Sequence, residues 1–125
     1  MNLLLDTHIF LWWLKNDKKL SQKGRRLIQD ANQIYISSAS IWEAAIKIHI
    51  KKLSVKMEDL VDSIESEGFQ ELPINITHAA TTLKLPYHHR DPFDRMLIAQ
   101  ALTEPLKLLT TDKMLVLYSD SIELI

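Results

Sequence analysis

Five acidic residues stand at positions an enzyme could use. Asp6 directly follows the apolar run Asn2 to Leu5, and Asp112 follows Leu108-Leu109-Thr110-Thr111. Glu43 lies within the first two turns of a helix that starts after Ser37-Ser38, and Asp91 and Asp94 open a further helix at Asp91-Pro92-Phe93-Asp94. In an open α/β sheet, ligands bind beyond the carboxyl ends of the strands, and every one of these positions is compatible with that single rim. Carboxylates gathered at ~4 Å repel by about 4 kcal/mol at an effective dielectric near 20, so a partly buried cluster must hold protons or hold a cation. The chain has no cysteine. Oxygen-only ligands favour a hard ion, Mg²⁺ or Mn²⁺ as its close substitute. Such an ion, keeping waters and binding phosphate oxygens, serves phosphodiester chemistry more than structure.

Each acid also has an ordinary role. Asp6 or Thr7 caps a helix, and Asp91-Pro92 is an N-cap followed by proline at the first helical position. Asp94 in a first turn favours the helix dipole, Glu43 pairs with Lys47 one turn on, and Asp112 caps a turn toward Met114. Taken together these readings weaken, because caps have no reason to converge on one rim of one sheet.

The elements that must position these acids alternate along the chain. Asn2 to Leu5 reads as a buried strand, His8 to Lys15 as a helix, and Ser21 to Ala31 as an amphipathic helix capped by Ser21. Ile34 to Ile36 is a second strand and Ala39 to about His49 a helix. Met57 to Ser66 is an acidic helix stopped by Gly68. Phe69 to Ile74 is a third strand, with Pro73 marking its end or an edge position. Thr77 caps a short helix to Leu83, the loop Leu85 to Arg90 follows, and a helix runs from Asp91-Pro92 to about Leu102. Lys107 to Thr110 is a fourth strand and Ile122 to Ile125 a fifth. Strand–helix alternation predicts an α/β fold, a three-layer α/β/α sandwich around a mostly parallel sheet of four to five strands.

At 125 residues the chain is expected to form one domain, 1–125. Its hydrophobic fraction of 46% and charged fraction of 25% are those of an ordinary globular chain. Two glycines, Gly24 and Gly68, cannot write a phosphate loop or a dinucleotide fingerprint. The absence of cysteine and of any long apolar run predicts a cytoplasmic protein with no membrane segment. A net charge of −1 conceals a basic first stretch, residues 1–52, and an acidic one, residues 53–71. The basic stretch could meet a polyanion, or both could be solvated helix faces.

Four blocks in order resemble the PIN-domain family: Leu4-Leu5-Asp6-Thr7-His8, Ser40-Ile41-Trp42-Glu43-Ala44-Ala45-Ile46-Lys47, Arg90 to Ala101 around Asp91-Pro92-Phe93-Asp94-Arg95, and Leu109-Thr110-Thr111-Asp112. Within that family the chain is most similar to the VapC-like toxins of bacterial toxin–antitoxin pairs, and the resemblance runs from end to end. It implies a PIN-like sandwich and a Mg²⁺- or Mn²⁺-dependent endoribonuclease. The catalytic and metal-holding acids it implies are Asp6, Glu43, Asp94 and Asp112. Asp94 is preferred to Asp91 because the apolar helix Met96-Leu97-Ile98-Ala99 follows it, as in the family. Cleavage would leave a 5′-phosphate and a 3′-hydroxyl. The partners implied are RNA, a VapB-like antitoxin and a second copy in a homodimer.

Around the acids, Thr7 and Thr110 are candidate contacts to carboxylate or phosphate, and His88, His89 and Arg90 form a basic loop suited to RNA phosphates. Arg95 could pair with Asp91 four residues back. Trp12 and Trp13 are expected to divide between the core and a protein interface. Two other classes compete. A phosphate-receiver module would want adjacent acids after the first strand and a lysine after a late one, whereas Asp6 stands alone and the late strand ends in Thr-Thr-Asp. A non-catalytic RNA-binding module has no need of converging acids.

Overall fold

The computed structural model describes residues 1–125. In chain order the elements are β1 (Asn2–Leu5), α1 (Thr7–Lys15), α2 (Gln22–Asp30), β2 (Gln33–Ser37), α3 (Ser38–His49), α4 (Met57–Ser66), β3 (Gln70–Leu72), α5 (Ile76–Thr81), α6 (Pro92–Thr103), β4 (Lys107–Thr110) and β5 (Ile122–Leu124). Short 3₁₀ turns at Thr82–Lys84 and Leu115–Leu117 complete the set. The five strands pair in the order β3-β2-β1-β4-β5, and every pairing is parallel. The sheet is therefore wholly rather than mostly parallel. Edge strand β3 is shorter than the sequence suggests and ends at Leu72, immediately before Pro73, which has no N–H to extend a ladder.

Leu3-Leu4-Leu5 is apolar without alternation because β1 is the central strand, covered on both faces. Leu3 and Leu5 face a cluster with Phe10 of α1, Ile28 of α2 and Leu60 of α4. Leu4 faces the opposite cluster, with Leu97 and Ile98 of α6, Leu108 and Leu115. Helix α3 serves both, lending Ala44 to the first cluster and Ala39 to the second. Burial on both faces thus produces the three layers.

Strand order reverses at β1: the next strand, β2, lies on one side, and β4 on the other. A crevice opens at such a switch point, beyond the carboxyl ends of the two strands. Leu5 is in register with Leu109, so Asp6 and Thr110 emerge side by side there. The Asp6 N–H donates to the Leu109 carbonyl at 3.1 Å and extends the ladder one bond past β1.

Candidate active site

Asp6 is almost fully buried, at 5% exposure, and both its oxygens are engaged. Oδ1 accepts from the Ile9 N–H at 3.0 Å, which makes Asp6 the N-cap of α1. Oδ2 accepts from the Thr110 hydroxyl at 2.8 Å. Capping and membership of the cluster thus coexist in one residue. Burial pushes the Asp6 carboxyl above the usual carboxylate range, against the pull of these two donors and of nearby His8, while the charge of Glu43 adds to the rise.

Helix α3 brings Glu43 to the same place. The buried Thr7 hydroxyl donates to Ser40 Oγ at 2.9 Å and ties the start of α1 to α3. Ser40 and Glu43 are three residues apart and share a helix face. Glu43 is buried and pairs with Lys47 Nζ at 3.0 Å, so the pairing expected one turn on is present beside the site.

Asp91 and Asp94 divide their work. Asp91 Oδ1 accepts from the N–H groups of Phe93 at 2.8 Å and Asp94 at 3.1 Å, and Pro92 follows at the first helical position. Asp91 therefore caps α6 and leaves Asp94, one turn in, to face the cluster. The Asp94 carboxyl is pushed up to about 7, first by burial and then by the charges of Asp91, Asp6 and Glu43, with His89 pulling the other way. Carboxylates from three elements thus act on a single proton equilibrium.

Asp112 joins through His89. Its Oδ1 accepts from the Met114 N–H at 2.9 Å, the turn cap expected from sequence, while Oδ2 lies 2.9 Å from His89 Nε2. His89 Nε2 is also 3.4 Å from Asp94 Oδ2. The ligand atoms of His89, Asp94 and Asp112 all lie within 4.8 Å of one another.

These contacts change the reading of the surrounding residues. Thr7 and Thr110 are buried and donate to Ser40 and Asp6, so the contact to a carboxylate expected of Thr110 is present and both threonines tie the elements of the site together. His89 turns inward onto two acids, so of the expected basic loop only His88 and Arg90 are exposed. His88 packs edge-on against Tyr118, centroids 5.0 Å apart. Arg95 does not pair with Asp91. Its buried guanidinium donates to the carbonyls of Thr82, Leu85 and Pro86 at 2.8 to 3.1 Å and lies 4.2 Å from the Tyr87 ring centroid. Trp12 and Trp13 are half-buried against the first core cluster, whereas the exposed tryptophan is Trp42. Sequence reasoning missed His89 as a partner of acids and Tyr118 altogether. The only local signal was the position of His89 two residues before Asp91.

The donor set fits a hard divalent ion. Its acids offer oxygen alone, and burial first, with their like charges second, favours a proton on Asp94, the condition a cation relieves.

Comparison with known proteins places this geometry in context. A model of the PIN domain family matches residues 3–119. Ribonuclease VapC22 of Mycobacterium tuberculosis is 29% identical over 120 residues, covering 90% of this chain and 88% of the relative. The fold is similar to that in VapBC2 from Rickettsia felis bound to a promoter DNA fragment, with a TM-score of 0.70 at 16% identity over 100% of this chain and 98% of that one. It is also similar to that in a toxin–antitoxin complex from Klebsiella pneumoniae, with a TM-score of 0.69 at 14% identity over 97% and 95% of the two chains.

Proposed function

The chain belongs to the PIN-domain family, and from that premise we propose that it is a Mg²⁺- or Mn²⁺-dependent endoribonuclease, the toxin of a VapBC-type pair. The observation that carries the reading is geometric: Asp6 and Thr110 emerge side by side at the switch point of the sheet, and the ligand atoms of His89, Asp94 and Asp112 lie within 4.8 Å of one another. The likeness to Ribonuclease VapC22 supplies the activity, and the similar folds seen within VapBC and toxin–antitoxin assemblies supply the antitoxin as partner.

In this proposal Asp6, Glu43, Asp94 and Asp112 hold the ion within a single domain acting in the cytoplasm as a homodimer. A divalent cation bound there offsets charge at the scissile phosphate and favours deprotonation of an attacking water. The protein's own groups do the rest. Asp6 and Thr110 fix the floor of the site, and Glu43, held by Lys47, lines one side. Exposed Arg90, directly before Asp91, offers positive charge to the RNA backbone and exposed His88 a hydrogen-bond donor, offsetting the repulsion the backbone meets from the carboxylates. Water attacks phosphorus and the bond to the 3′ oxygen breaks, leaving a 5′-phosphate and a 3′-hydroxyl.

The test is incubation of pure protein with mixed RNAs in Mg²⁺, Mn²⁺ or EDTA, beside Asp94→Asn. Cleavage in either metal, lost with EDTA and with the substitution, is the expected result. Cleavage that survives both would overturn the mechanism.

A further inference from the structure

Resting on the metal-centre reading above, we propose that His89 is a built-in competitor of the metal ion. Its Nε2–H hydrogen-bonds Asp112 Oδ2 and stands 3.4 Å from Asp94 Oδ2, in the space a cation held by both acids needs, so binding must displace it. Three observations carry this.

The ring's proton is assigned by its other contact. His89 Nδ1 accepts from the Asp91 N–H at 3.0 Å, which places the hydrogen of the neutral ring on Nε2. That nitrogen is a donor, hydrogen-bonded to Asp112 Oδ2 at 2.9 Å, with Asp94 Oδ2 nearby at 3.4 Å. To ligate an ion through Nε2 the ring would have to move its proton to Nδ1, where the Asp91 N–H already points. In this arrangement His89 blocks rather than ligates.

The oxygen it covers matters to Asp112. The other, Oδ1, accepts from the Met114 N–H at 2.9 Å, so with His89 on Oδ2 neither Asp112 oxygen is free of a donor. Hydrogen bonds from a donor to a carboxylate are among the stronger ones, and the ion must replace the one His89 makes to Asp112.

The residue is also held where it stands. Its N–H donates to the Tyr118 hydroxyl at 2.9 Å, and its carbonyl accepts from Arg95 Nη1 at 3.4 Å. The same guanidinium nitrogen donates to Tyr118 Oη at 3.3 Å, closing a small network beneath the ring. These contacts hold the His89 backbone, so displacement falls to the ring alone, and removing its donor should leave the two acids freer to take an ion.

The experiment is calorimetric titration of the EDTA-stripped, full-length protein with Mn²⁺, in the wild type and in His89→Ala, His89→Leu and His89→Gln. His89→Ala and His89→Leu lack the donor and are expected to bind Mn²⁺ about tenfold more tightly, with a larger Mn²⁺-induced rise in melting temperature. His89→Gln, whose amide can still donate, should stay near the wild type. Equal or weaker binding by the Ala and Leu variants overturns the proposal while leaving the metal centre standing. Failure of both to fold even in Mn²⁺ also overturns it, because the ion should supply what the ring supplied. A wild type that takes no Mn²⁺ at all sinks the metal centre and this inference together.

Discussion

The Thr110 hydroxyl donates to Oδ2 of Asp6 at 2.8 Å, across the boundary between the first and fourth strands. Thr110 Oγ1 in turn accepts from the Asp112 N–H at 3.0 Å, so one hydroxyl orients two of the four acids. A buried carboxylate with such a donor keeps more of its charge than one without.

Replacing Thr110 by Val removes that donor at nearly constant shape. Thr110→Val should destabilise the protein by about 1–3 kcal/mol, the cost of stripping a partner from a buried polar group. Urea unfolding would show it. Weaker Mn²⁺ binding should accompany the loss, and Thr110→Ser should recover most of both.

Asp94 gives a pH dependence of definite sign. Its carboxyl titrates near 3.8 when exposed and is pushed up to about 7 in the fold. Between those values the folded protein keeps a proton that the unfolded chain releases, so in EDTA stability falls as pH rises from about 4 to about 7. Burial raises Asp6 as well and adds to the same slope. Asp94→Asn cannot ionise; it should flatten the slope and stabilise the EDTA-treated protein at pH 8 by about 2 kcal/mol, allowing for a side chain partly open to water. Thermal melts across that range check it, and the same variant should lose RNA cleavage by on the order of a hundredfold or more.

Asp91 should separate from Asp94 in the same assays. Asp91→Ala loses the cap of α6 and should cost about 1 kcal/mol of stability, while Asp91→Ser retains a capping oxygen and most of that energy. Both should keep cleavage within a few-fold of the wild type. A loss in Asp91→Ser as deep as in Asp94→Asn would transfer the metal-holding role to Asp91.

Arg95 is buried without a carboxylate partner and holds the segment before α6 through backbone carbonyls. Arg95→Met leaves those carbonyls without their donors and should destabilise the protein by about 2–4 kcal/mol. Lysine cannot present a planar fork to several acceptors at once, so Arg95→Lys should rescue little. Chemical denaturation measures the cost, and hydrogen exchange should speed up first across residues 82–90.

Local chemistry made much of this legible in the sequence. The unbroken Leu3-Leu4-Leu5 marked a strand buried on both faces, Asp91-Pro92 marked a helix start, and Pro73 marked the end of an edge strand. The acids were legible as a set because each follows or opens an element, and a parallel sheet collects those positions on one rim. What escaped depends on contacts across long sequence separations. His89 looked like an exposed basic residue because its partner Asp112 lies 23 positions away. Thr7 looked available because nothing near it in sequence shows that Ser40 takes its hydroxyl. Arg95 has an acid at helical spacing, but several loop carbonyls gathered around the guanidinium outcompete it.

The position of β4 beside β1 has a consequence for timing. Thr110 lies 104 residues after Asp6, so a growing chain presents Asp6 well before the strand that walls it in. A nascent or truncated product ending anywhere before residue 107 lacks that wall. Asp6 in such a fragment is without the Thr110 donor, and RNA cleavage should be absent from it.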